Sequence, residues 1–84
     1  MEVTIVAERA GYLVLARADR FVVVEKRNDR LYNCHDDSRA GIPLDNLAAV
    51  SEIVDEGDWA DEATARRALD EAVARWTQLL EHMR

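Results

Sequence analysis

Eighty-four residues, 49% of them apolar and 33% charged, can build one modest hydrophobic core and not two, so a single domain over residues 1–84 is expected. That balance excludes a disordered tail, and no apolar run approaches the ~18 residues of a membrane helix. A net charge of −6 speaks against direct nucleic-acid binding, which relies on Lys and Arg to neutralise phosphates.

The first run, Glu2 to Glu8, alternates with Val3, Ile5 and Ala7 on one side, the pattern of a half-buried strand. Arg9-Ala10-Gly11 supplies a turn, and Tyr12 to Arg17 is then apolar almost throughout. Ala18-Asp19-Arg20 breaks that run, and Phe21-Val22-Val23-Val24 carries the strongest β signal of the chain. Asn28-Asp29 suits a hairpin tip before a fourth, weaker run from Arg30 to His35. Connections this short permit only antiparallel neighbours, since parallel pairing needs a crossover of about a dozen residues.

Residues 36–43 interrupt the β pattern, and Pro43 bars a helix interior there. Leu47, Val50, Ile53 and Val54 then recur at helical spacing between a capping Asp45 and a terminating Gly57. The last third holds a longer stripe of Ala65, Leu69, Ala72, Val73, Trp76, Leu79, Leu80 and Met83, with Asp58 or Asp61 as N-cap. Glu62→Arg66 and Glu71→Arg75 stand in the favourable i,i+4 order on its polar face. The expected class is therefore α+β: a three- to four-stranded antiparallel meander over about 2–35, then helices over about 45–56 and 59–83, both packed on one sheet face.

No catalytic or cofactor motif stands out, and the chain is expected to be neither an enzyme nor a metal protein. Cys34-His35-Asp36-Asp37 is the one cluster of chemically capable side chains, with His82 as a distant fourth ligand. Neighbours on a strand point to opposite faces, and the paired spacing typical of zinc sites is missing, so a strand end entering a polar turn is the better reading. A thiol nucleophile at Cys34 would need a base, an oxyanion site and a pocket, and nothing in the spacing marks them. Arg9, Arg17, Arg20, Lys26, Arg27 and Arg30 alternate with acids and are expected to blunt sheet edges. The lone cysteine fits a reducing compartment; with neither a spanning segment nor a leader pattern, the expected address is cytoplasmic.

The charge itself is lopsided. Residues 1–39 balance seven basic against seven acidic side chains, while residues 40–84 carry four against ten. Glu52, Asp55, Glu56, Asp58, Asp61 and Glu62 fall within eleven positions, with Trp59 among them. Carboxylates so placed can dock a basic protein surface or imitate a phosphate backbone; they also suit a solvated helix junction and the positive pole of the second helix. The expected function is a non-enzymatic interaction or inhibitory protein whose contact residues are those six acids and Trp59. A homo-oligomeric module, associating through an open sheet face or through Leu79, Leu80 and Met83, is the other expectation. In size, acidity and lack of enzymatic signature the chain is similar to small phage or prophage accessory proteins, anti-defence (anti-CRISPR-like) inhibitors among them; no motif carries that resemblance.

Overall fold

The structure, a computed structural model, describes residues 2–34, 41–57 and 59–83. Among these described residues five strands, β1 (Thr4–Arg9), β2 (Tyr12–Arg17), β3 (Arg20–Arg27), β4 (Arg30–Asn33) and β5 (Ile42–Pro43), form one antiparallel sheet in chain order, and two helices follow, α1 (Leu47–Asp55) and α2 (Glu62–His82). The α+β meander expected from the sequence is present, extended by the two-residue β5.

Each of the first three turns leaves two residues between paired strand ends. Asn28 and Asp29 both take positive φ, as do Ala10 and Gly11, which matches the right-handed twist of the flanking strands. Ala18 also has a positive φ, of 55°, a conformation that a side chain makes costly.

The helices do not share a sheet face. Val50, Ile53 and Val54 of α1 pack on Leu13, Leu15, Val22, Val24 and Leu31. Ala65, Ala68, Leu69, Ala72 and Val73 of α2 pack on Tyr12, Val14 and Val23, on the opposite side. The cause lies in the central strands. Leu13-Val14-Leu15 and Val22-Val23-Val24 are continuous apolar runs, and successive residues point to opposite faces, so both faces need cover. The idea of an open sheet face, free to meet water or a second subunit, is corrected with it.

A notch in the sheet lets the chain change sides. β3 is eight residues long, but β4 pairs only with Val24 to Arg27. The outer edge of Phe21 is left to the segment between the helices: Phe21 N–H donates to the Trp59 carbonyl at 2.8 Å, and Trp59 N–H to that of Phe21 at 3.3 Å. Gly57 makes the approach possible, because a Cβ there would collide with the Phe21 carbonyl oxygen. Extended backbone at Trp59 also delays the second helix: it starts at Glu62, with Asp61 as N-cap, not at residue 59. α1 likewise starts late, capped by Asn46 in place of Asp45, because Asn46 N–H is first turned back onto the Pro43 carbonyl.

The alternation expected in β1 is interrupted. Ile5 pairs with Leu15 and Ala7 with Val14, so Val6 forms a bulge. Val6 and Ala7 then pack toward α2, whereas Val3 packs toward α1. Arg66 donates to the Val6 carbonyl at 3.1 Å, and bulge and guanidinium together blunt this edge strand.

Candidate functional site

The acidic segment comes together at the end of the molecule where α1 finishes and α2 begins. Glu52 lies exposed on α1. Asp55, the last residue of α1, accepts from Arg17 at 2.6 Å. Glu56 is the exposed C-cap of α1, its N–H bonded to the Glu52 carbonyl. Asp61 caps α2, accepting from the Thr64 hydroxyl at 2.7 Å and the Thr64 N–H at 2.9 Å; these bonds hold its carboxyl below the usual carboxylate range. Glu62 pairs with Arg66 at 2.9 Å in the i,i+4 geometry read from the sequence. Asp58 lies outside the described residues. Several of these acids therefore already have partners within the chain, although exposed ion pairs of this kind hold each other by only about 0–1 kcal/mol.

Trp59 is half-buried and packs on the α2-side core beside Phe21, so its ring helps to fasten the crossing. The basic residues are spread over the molecule. Arg9 meets Asp70 at 2.8 Å, Arg27 pairs with Glu25 and stacks 4.3 Å from the Tyr32 ring centre, and Arg30 donates to the Gly41 carbonyl.

A groove of about 230 Å³ opens beside α2, lined by Tyr12, Glu25, Arg27, Tyr32, Cys34 and Arg75 among others. Burial, followed by donation of its hydroxyl to Glu25, raises the Tyr12 phenol to about 12, so it stays protonated at neutral pH. The polar groups here satisfy one another: Tyr12 holds Glu25, Glu25 holds Arg27, and Arg27 lies on Tyr32. Cys34 faces this groove from the end of β4 and packs against the α2-side core. Of the cluster that follows it, residues 35–37 lie outside the described residues; among the described ones no three potential ligands converge on a metal position. Nor, among the described residues, is any helix long and apolar enough to cross a membrane.

The least satisfied surface is the end of the α2 stripe, where the sequence offers Leu79, Leu80 and Met83 for self-association and Trp76 for the core. Trp76, taken as core from its position on the helix stripe, is 41% exposed, and Leu79, Leu80 and Met83 are 51%, 39% and 73% exposed. The last buried residue of α2 is Val73. Trp76 borders the Ala10-Gly11 turn and the Lys26-Arg27 end of β3, which fixes where the sheet stops. At 1.5 Å per residue α2 is about 31 Å long, so its last two turns and more project past that edge; the longest dimension of the molecule is 43 Å against 27 and 20 Å across. The projecting underside continues the same stripe that seats residues 65–73. With the sheet end it forms a ledge, apolar above and bordered by Lys26, Arg75 and the paired Arg27 and Glu25. The helical period signals this stripe; only the strand lengths, through the sheet edge they set, reveal that no described residue packs beneath its second half.

In comparisons with protein-family models, curated proteins and solved structures the chain matches none, so the functional reading rests on its own geometry.

Proposed function

We propose that this protein is a non-enzymatic interaction protein, one that works by binding another macromolecule. The observation that carries the reading is the projecting end of α2, where Trp76, Leu79, Leu80 and Met83 stand in solvent as one stripe. A contiguous apolar patch of this kind marks a docking surface more often than chance exposure does. The acidic junction at the opposite end is a second surface, suited to a protein with a basic face; it brings charge steering more than area. Neither surface calls for a cofactor, a metal or nucleic acid, and a cytoplasmic setting agrees with a chain that holds a single cysteine.

The test is affinity capture from the lysate of the source cell, with three baits compared by mass spectrometry. Leu79→Glu/Leu80→Glu should abolish capture of the specific partner while circular dichroism stays unchanged. Glu52→Gln/Glu56→Gln should weaken capture and flatten its salt dependence. Equal capture by the wild type and the Leu79/Leu80 variant would refute the assignment of the α2 end.

A further inference from the structure

We infer that the ledge under the projecting end of α2 is filled by the same projecting end of a second copy of this chain, in a two-fold antiparallel arrangement. This rests on the reading of that end as a docking surface and names its occupant. Three observations select a second copy.

The first is the spacing of the stripe. Trp76, Leu79, Leu80 and Met83 are separated by three, one and three residues, a pattern symmetric about the point between Leu79 and Leu80. A two-fold axis through that point sets Leu79 of one copy against Leu80 of its partner, and Trp76 against Met83. Every apolar residue then meets an apolar one, which is the self-complementarity an isologous interface requires. The Trp–Met pairing adds a sulfur–aromatic contact.

The second is shape. Packed helices lie 8–10 Å apart, so a partner helix under the overhang lies beside the end of the sheet. The ledge is as long as the helix segment that overhangs it, because that overhang defines it. A partner tip laid antiparallel under the overhang therefore fills it and ends against the Ala10-Gly11 turn and the Lys26-Arg27 end of β3.

The third is charge. The C-terminal end of a helix carries about half a negative charge from its unsatisfied carbonyls. In this arrangement it arrives beside Lys26, next to the Arg27–Glu25 pair, while the acidic junctions, which would repel each other, lie at the two far ends of the dimer.

At the exposures observed, the four side chains offer on the order of 400 Å² per copy, about 800 Å² for the pair, at the small end for a specific interface. Association is therefore expected to be weak and reversible on dilution.

The experiment is sedimentation velocity on the full chain from 1 to 500 µM, with amide chemical shifts recorded on dilution. The expected result is a monomer–dimer equilibrium, with shifts confined to residues 74–83 and the positions around 10–11 and 26–27. Leu79→Glu/Leu80→Glu should raise the dissociation constant at least tenfold, Lys26→Glu severalfold, and Leu47→Glu, exposed elsewhere, not at all. Should the double variant misfold, the wild-type shift map and Lys26→Glu decide alone. A monomer at every concentration would overturn the inference, as would a dimer indifferent to these substitutions or one whose shifts map elsewhere. If the chain is monomeric and the Leu79/Leu80 variant still loses its partner in affinity capture, the second copy is wrong and the docking surface stands; if capture is also unaffected, both fall.

Discussion

The two halves of α2 share one periodicity and have opposite surroundings. Residues 62–73 press Ala65, Ala68, Leu69, Ala72 and Val73 onto the sheet, while residues 74–82 carry the same stripe into solvent with larger side chains. Small residues in the first half let the helix sit close to Tyr12, Val14 and Val23. Trp, Leu and Met in the second half find no such floor among the described residues. The contrast teaches that a helical period identifies a face that wants cover, whereas the length of neighbouring elements decides whether the same chain supplies it.

The sharpest way to break the comparison is to truncate one residue in each half. Leu69→Ala should cost about 2–5 kcal/mol of stability, as buried leucines do. Leu79→Ala should change the urea midpoint of dilute protein by less than ~0.5 kcal/mol equivalent. Equal losses would mean that the second half is packed. Gly57→Ala comes next: it pushes the Trp59 crossing away from Phe21 and should cost about 1–3 kcal/mol, loosening the first half of α2 through its start.

Tyr12 marks the last covered position below α2. Tyr12→Phe removes its bond to Glu25 and should cost about 1 kcal/mol. Its phenol is raised in the folded state, so its contribution is whole below the ordinary value of 10.0 and is lost as pH climbs toward about 12. The alkaline arm of a stability–pH curve should therefore flatten in the Phe variant. Ala10→Asn turns the Ala10-Gly11 corner into an Asn-Gly pair suited to two positive φ values, and should stabilise the sheet end by about 0.5–1 kcal/mol. The smallest effect is expected at the start of α2. Bonds to Thr64 depress the Asp61 carboxyl, so its stabilising contribution is present above the ordinary value of 3.8 and fades as pH falls below it. Asp61→Asn keeps a cap and should lose that acid-dependent part.

Much of this fold was legible in the chain. The hairpin tips at Ala10-Gly11 and Asn28-Asp29, the meander and both helices follow from turn chemistry and apolar spacing. The placement of the helices was misread as one-sided, although the unbroken runs Leu13-Val14-Leu15 and Val22-Val23-Val24 leave one face uncovered in that arrangement. The notch at Phe21 was not, because it arises from a mismatch between the lengths of β3 and β4, and periodicity carries no length of pairing. For the same reason Trp76 looked like core: its place on the stripe is plain, and the edge of the sheet beneath it is set by other residues. The acidic segment stood out by composition, yet the bonds of Asp55, Asp61 and Glu62 to Arg17, Thr64 and Arg66 depend on local geometry that charge counting omits.

Amide hydrogen exchange along α2, followed at low and at high protein concentration, tests the central claim most directly. The first half should be strongly protected at both concentrations, and the amides after Val73 should exchange many-fold faster in dilute solution and slow as the protein is concentrated. Uniform protection along the whole helix in dilute protein would show that its second half already has a floor, and would contradict the account.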